Sequence, residues 1–263
     1  MEEVLCFRCQ KKGELLFYHQ KYPIVKCPIC DQIFTGKKLI SNELKDFYND
    51  ARYFKGMYGE SKYHPSQIWH RIVARKRLKL IAQFQAKGKL LDIGSGYGIF
   101  LAVAKHYGWL VWGVELSKPA CDYASSLYQL NIFNGEVEVA NYPDQFFDVI
   151  TSWDVLEHIP NPVIFLKGVR RIIKKSGYLA LSVPNVDSFA ARLIPTKWWS
   201  LRPEQHLWHF SPKTLSRLLF EQGFEPVLCA KSPFNGPNFT RIDNMVVLAQ
   251  PITGFNSRTW QKG

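Results

Sequence analysis

The stretch LLDIGSGYGIFL, Leu90 to Leu101, decides the fold. Leu90, Leu91 and Ile93 read as a buried strand. Gly94, Gly96 and Gly98 follow as a tight turn that lets a ligand approach the backbone, and Ile99 opens a helix. The next apolar strand, WLVWGVE, closes on Glu115. An acid about 20 residues beyond such a turn is placed to accept hydrogen bonds from both hydroxyls of a ribose. Turn and acid together predict a cradle for an adenosine-containing cofactor. The spacing Gly94-x-Gly96-x-Gly98 departs from the G-x-G-x-x-G that seats a pyrophosphate on a helix N-terminus. Asp92, at the strand end, adds a negative charge that disfavours phosphate and suits a cationic ligand.

On these residues the chain resembles class I S-adenosylmethionine (SAM)-dependent methyltransferases. Their first motif, (V/L)LD(I/L)GxGxGxF, is matched from Leu90 to Phe100, and Glu115 matches the acidic end of their second strand. FFDVITSWDVLEHIPNP, Phe146 to Pro162, resembles the fourth-strand motif with its loop, and GYLALSVPN, Gly177 to Asn185, the fifth strand. QHLWHFSPKTLSRLLFEQGFE, Gln205 to Glu225, is similar to the substrate-side segment of the small-molecule branch, near ubiquinone-type and sugar-modifying enzymes. The resemblance implies an α/β, Rossmann-like, doubly wound seven-stranded sheet of order 3-2-1-4-5-7-6, its seventh strand antiparallel. It also implies SAM as cofactor. Backbone at Gly94, Ser95, Gly96 and Gly98 then meets the methionine part, Asp92 the amino end, Glu115 the ribose, and Leu116 the adenine. The usual Gly-Asp at the third strand is here Gly135-Glu136. Trp153, with Ser152 and Asp154, faces the transfer centre or is a core aromatic.

The alternation of strand and helix signals independently points to a parallel, doubly wound sheet. Strands are expected near Leu90–Ile93, Leu110–Glu115, Glu136–Val139, Phe147–Ser152 and Tyr178–Val183, then at Val227–Ala230 and Met245–Ala249. Pro65 and Ser66 open a helix in which Ile68, Ile72, Val73, Leu80, Ile81 and Phe84 form the apolar stripe, with Arg71, Arg75, Lys76 and Lys79 opposite. Ser211-Pro212 starts a further helix that ends at Gly223.

Four of the six cysteines form two knuckles, CFRC (Cys6, Cys9) and CPIC (Cys27, Cys30). Each tight turn aims two thiolates at one point, and four sulfurs complete the tetrahedron zinc prefers, with no position left for water. A structural zinc ribbon is expected, its metal contributing roughly 10–16 kcal/mol of folding energy by analogy with zinc-finger peptides. Two disulfides are the competing reading and fit poorly with a reducing compartment. Cys121 and Cys229 read as small buried hydrophobes. The organisation expected is a ribbon at residues 1–40, with ELLFYH and YPIVKC as strands. A polar, aromatic-rich connector follows at 41–65, then a catalytic domain at 66–263 with a lid near 186–210.

With 263 residues and 46% hydrophobic content, the chain can bury one sizeable core with a small module beside it. No apolar run approaches the ~18 residues that span a bilayer. MEEVLCFRCQ carries acids where a signal peptide carries bases, so a cytoplasmic location is expected. The net charge of +12 favours anionic partners such as nucleotide-sugars, phospholipid-linked intermediates, acidic membranes or RNA; a generally basic protein is the alternative reading, because the bases are dispersed except along Arg71 to Lys79.

Methyl transfer from a sulfonium needs chiefly alignment, worth up to roughly 7–11 kcal/mol of barrier, and a base if the acceptor is a hydroxyl. His158, His206 and His209 are the candidate bases, because imidazole titrates near neutrality. In ubiquinone-pathway relatives a divalent ion is associated with residues that map onto Asp154, Glu157 and His158; capping of the following helix or bonding to backbone is the alternative for the last two, and a hydrogen-bonded structural histidine is the alternative for His206 and His209. Trp198, Trp199 and Trp208 with Lys197 and Arg202 read either as a substrate lid or as a structural aromatic cluster. Three functions follow: O-methylation of a small, anionic metabolite or sugar or glycan precursor; RNA methylation through the basic surface and ribbon; and a non-catalytic SAM-binding zinc-ribbon adaptor. The Asn/Asp-Pro-Pro-Tyr/Phe motif typical of exocyclic-amine methylation is replaced by Ser152-Trp153-Asp154-Val155. The intact glycine turn and ribose acid oppose the adaptor.

Overall fold

The computed structural model describes residues 2–38, 64–231 and 243–255, so nearly all of the connector at 41–65 lies outside the described residues. The chain divides into two compact units, one of Met1–Leu44, Asp154–Arg170 and Leu181–Gly263, the other of Lys45–Trp153 and Arg171–Ala180. The first begins with β1 (Glu2–Glu3), β2 (Glu14–His19), β3 (Tyr22–Lys26), β4 (Ile33–Thr35) and β5 (Lys37–Lys38). The expected ribbon strands are present: β2 and β3 form an antiparallel hairpin, and β4 extends it.

Among the described residues the first element of the second unit is α1 (Pro65–Ile81), started by proline in its first turn and by His64, whose Nδ1 accepts the Ser66 N–H at 3.2 Å. The stripe of α1 differs from expectation. Ile68 and Ile72 are exposed, and the buried residues are Gln67, Val73, Ala74, Leu78 and Ile81. Gln67 is buried because it bonds two tyrosines, donating from Nε2 to Tyr123 at 3.0 Å and accepting at Oε1 from Tyr128 at 3.4 Å. A satisfied amide thus takes a core position that hydropathy assigns to isoleucine.

β6 (Lys89–Ile93), α2 (Ile99–His106), β7 (Leu110–Glu115), α3 (Lys118–Tyr128) and β8 (Ile132–Asn134) alternate strand and helix, and β9 (Phe147–Trp153) follows β8 with only a short 3₁₀ turn between them. β6 lies parallel between β7 and β9, and β7 pairs in parallel with β8. The third strand falls on Ile132–Asn134 and not on 136–139, where the chain instead makes a 3₁₀ turn, Val137–Val139. Ile132 and Phe133 pair with Gly113 and Val114, a register that puts strand pairing ahead of the Gly135 turn.

Further on come α4 (Pro162–Ile172) and the long strand β10 (Ile173–Pro184). They are followed by α5 (Phe189–Leu193), β11 (Trp208–His209), α6 (Pro212–Glu221), β12 (Phe224–Lys231) and β13 (Asn244–Pro251). The seven-stranded sheet has the order β12-β13-β10-β9-β6-β7-β8, with β12 and β13 antiparallel. In sequence terms this is the expected 3-2-1-4-5-7-6. Ser211 caps α6 in a reciprocal box with Thr214, and Gly223, at φ +79°, ends the segment as expected. Cys121 is buried, but Cys229 is exposed on β12.

β11 joins the ribbon. It pairs antiparallel with β4, giving a four-stranded sheet of order β11-β4-β3-β2. Around it Ile24, Ala191, Trp198 and Leu201 form a buried apolar cluster. Trp198 and Trp208 are therefore core residues. Both Trp198 and Trp199 donate their indole N–H to Asp243, and Trp208 donates to the Ile159 carbonyl at 2.7 Å. For Trp198 and Trp208 this is the structural alternative of the two. The exposed apolar residues nearby are Phe189, Leu193 and Ile194.

Candidate functional site

The glycine turn connects β6 to α2. Gly94, Gly96 and Gly98 all have left-handed φ (75°, 52° and 72°), a conformation that costs any residue with a Cβ. The turn is fixed to the next strand by the N–H groups of Gly94 and Ser95, which donate to the Val114 carbonyl at 2.8 and 3.1 Å. At Gly98 a Cβ would fall 2.6 Å from Leu130 Cδ1 and 2.9 Å from Ala124 Cβ. The glycine is needed there for backbone shape and for the seating of α2 beside α3.

Two acids stand at the ends of neighbouring strands. Glu115, buried at the end of β7, accepts the Gly96 N–H on Oε2 and the Ser117 N–H on Oε1, each at 2.8 Å. The carboxylate thus locks the glycine turn, and each oxygen retains a lone pair for a ligand hydroxyl. Burial raises its pKa, opposed by these backbone donors. Asp92, buried at the end of β6, is raised to about 7 by burial, against the Thr151 hydroxyl that donates to it at 2.6 Å and the charge of Arg77. A cation placed beside this acid would favour its ionised form.

Leu116, next in line, is exposed. Asn134 donates from Nδ2 to the carbonyls of Glu115 and Leu116 at 3.0 and 2.9 Å, and the Gly135 N–H also donates to Glu115. Glu136 is exposed at the start of the 3₁₀ turn. Trp153 is buried, edge-on to Phe100 at 5.5 Å, with the Arg77 guanidinium 4.2 Å from its ring centre. Asn134, Thr151 and Arg77 are supports that the sequence reading did not single out. Thr151 is legible in hindsight, because alternation along β9 puts it in register with Asp92. Ser95 Oγ, Ser152 Oγ and Trp153 Nε1 are buried with no hydrogen-bond partner. Such atoms, with the glycine turn and two acids, fit a polar, cationic adenosyl ligand.

In the first unit Glu157, His158 and His206 bring one ligand atom each within 4.8 Å of one another. The imidazoles of His158 and His206 meet edge to face at 4.7 Å. His158 Nδ1 lies 3.1 Å from the Gln205 carbonyl, and His206 Nδ1 3.0 Å from the Ser200 carbonyl. A carbonyl only accepts, so both rings carry their proton on Nδ1 and present an Nε2 lone pair. Burial pushes His158 down to about 4 and His206 well below its ordinary value, the latter reinforced by His158. Both are therefore held neutral at pH 7, the form in which imidazole binds a divalent cation. His209 is placed elsewhere: on β11, buried, with Nε2 3.1 Å from Thr35 Oγ1 and its pKa lowered by burial to about 3. Asp154 is engaged at Oδ1 by Ser182 Oγ at 2.9 Å and Asn244 Nδ2 at 2.6 Å.

Cys6, Cys9, Cys27 and Cys30 converge, all four sulfurs within 4.8 Å of one another, and none is in a disulfide. The Cys6 and Cys30 sulfurs are 3.5 Å apart, far beyond an S–S bond. Sulfurs 2.3 Å from a tetrahedral zinc lie about 3.8 Å from each other, so the set fits that ion. Each knuckle closes the same way. The fifth residue, Gln10 or Asp31, takes a left-handed φ and its N–H returns to the carbonyl of Cys6 or Cys27.

Residues 67–229, more than half of the chain, match the family model described as a methyltransferase domain. The ubiquinone biosynthesis O-methyltransferase of Coxiella burnetii is 39% identical over 117 residues, which cover 41% of this chain and 50% of that protein. The chain thus spans about half the length of the first curated relatives it matches. The enzyme of the same name from Cereibacter sphaeroides is 26% identical over 195 residues, 69% of this chain and 78% of that one. In fold, the chain is similar to magnesium protoporphyrin IX methyltransferase from Synechocystis with bound SAH, at TM-score 0.60 and 16% identity, covering 81% of this chain and 100% of that one. It is also similar to a SAM-dependent methyltransferase from Thermotoga maritima, at TM-score 0.56 and 20% identity, covering 80% and 98%. Sheet order, glycine turn and matched span agree: the chain belongs to the methyltransferase domain family.

Proposed function

We propose that this chain is a SAM-dependent O-methyltransferase acting on a hydroxyl of a small, anionic acceptor, a metabolite or a sugar or glycan precursor. The observation that carries this reading is the pair of buried acids, Asp92 and Glu115, on either side of the glycine turn. O-methylation is supported by the relatives named for it, and an anionic acceptor by the charge of +12.

When bound, SAM supplies an activated methyl group on a sulfonium. Gly94, Ser95, Gly96 and Gly98 would hold its methionine end and Asp92 its amino group. Glu115 would hold the ribose, and Leu116, Gly135 and Glu136 would flank the adenine. Trp153 is assigned to the methyl-transfer side. His158 and His206, neutral and with Nε2 lone pairs, would accept the acceptor's hydroxyl proton, and Glu157 would stabilise the imidazolium. His209, already engaged by Thr35, has no part in this assignment. The ribbon at 1–40, with its structural zinc on Cys6, Cys9, Cys27 and Cys30, the domain at 66–263, and a cover near 186–210 belong to the same reading. So does a cytoplasmic setting, which keeps the ribbon thiols reduced. No helix among the described residues is long and apolar enough to cross a membrane.

RNA methylation is the second reading, favoured by the same positive charge. Calorimetry with SAM tests the cofactor assignment, and loss of binding in Glu115→Ala is expected. An unchanged affinity in that variant would sink it.

A further inference from the structure

The ribbon's second knuckle runs straight into the loop that carries His206. Cys27 to Cys30 and Asp31 lead through Gln32 into β4, and β4 pairs with β11. Ribbon groups then reach successive residues before and along β11. The Thr35 N–H donates to the Leu207 carbonyl at 2.9 Å, Thr35 Oγ1 to the His206 carbonyl at 2.7 Å, and Gln32 Nε2 to the His209 carbonyl at 3.0 Å. With its one proton spent on His206, the Thr35 hydroxyl is the acceptor for His209 Nε2. On the other side of the same loop, the Leu207 N–H donates to the Glu157 carbonyl at 2.8 Å and the Trp208 indole to the Ile159 carbonyl. Phe7, inside the first knuckle, packs edge-on against Trp208 at 4.9 Å, and Arg217 donates to the Cys30 carbonyl at 3.0 Å.

We propose that the four-cysteine ribbon acts inside its own chain as a clamp, with Thr35 the positioning residue that holds the His206 loop against Glu157 and His158. Residues 206–209 lie between β4 and the turn of Glu157, so an ordered knuckle fixes the backbone on which His206 stands. This assigns the ribbon a role that needs no nucleic acid. Its consequence for catalysis rests on the proposed reading of His158 and His206.

The test uses full-length Thr35→Val, which keeps shape and the backbone N–H but removes the hydroxyl, and Thr35→Ser, which restores the hydroxyl. Zinc content checks that both variants keep an intact ribbon. Amide exchange at 206–208, the Trp208 indole resonance, and kcat and KM for methyl transfer are then measured, with chelator-treated wild type as the third sample. The expected result is about tenfold faster exchange and a shifted indole signal in Thr35→Val and after chelation, the scale of one buried hydrogen bond. Thr35→Ser should return near wild type. Unchanged exchange at 206–208 in Thr35→Val, or after zinc removal, overturns the clamp. A fall in kcat of about tenfold with KM for SAM unchanged is expected alongside. Faster exchange with unaltered kcat would uphold the clamp and overturn the histidine assignment.

Discussion

At the scale of single residues, two buried carboxylates, Glu115 and Asp92, have different tasks. Glu115 fastens the glycine turn through Gly96 and Ser117, so Glu115→Ala removes two internal bonds together with the proposed ribose contact. A loss of SAM affinity of about 100-fold or more is expected, as hydrogen bonds to a charged group contribute about 1.5–3 kcal/mol each. Calorimetry reads it. Asp92 gives a pH signature. Its folded pKa, about 7, is raised by burial above the ordinary 3.8, so its contribution to apoprotein stability is complete below the lower value and is lost as pH rises through about 7. A cationic ligand favours the ionised acid. SAM should therefore bind more tightly as pH rises through about 7, with release of a proton, read by calorimetry in two buffers of different ionisation enthalpy. Asp92→Asn should remove that release, whereas a wild-type affinity that does not vary with pH contradicts the assignment. Gly98→Ala combines a left-handed φ with a Cβ inside contact distance of Leu130 and Ala124. It should lose about 1–3 kcal/mol in urea unfolding, and a neutral effect would mean that α2 can shift freely.

At the scale of elements, local chemistry was legible and distant pairing was not. The ribbon strands, the β6 turn and the proline-started α6 follow from residue types within a few positions of one another. Ser211→Ala, which breaks the box with Thr214, should lower stability by about 1 kcal/mol, measured by the urea midpoint. Elsewhere hydropathy misled. Ile68 and Ile72 are exposed while Gln67 is buried, because two tyrosine hydroxyls satisfy its amide. The third strand begins at Ile132 because pairing with β7 outweighs the apolar pattern of 136–139. β11 has two residues and no sequence signal of its own; it exists because β4 offers an edge. For the same reason the meeting of His206 with Glu157 and His158 could not be read from a line of residues. The acids at strand ends could, because parallel strands bring their C-terminal ends together.

At the scale of the whole molecule, a four-cysteine ribbon and a methyltransferase domain share one basic chain. Elemental analysis should return about one zinc per chain for the ribbon, and zinc retained after all four cysteines are changed to serine would refute that assignment. The acceptor is encoded by neither the glycine turn nor the fold, and the charge of +12 suits small anions and RNA alike. The central claim is methyl transfer from SAM to a small hydroxyl-bearing molecule. The most direct measurement is transfer of labelled methyl from SAM to separated cell fractions, with Glu115→Ala in parallel. Label in the small-molecule fraction, as an ether and absent with the variant, is the predicted result. Label in RNA, or none in any fraction from a chain that binds SAM, would contradict it.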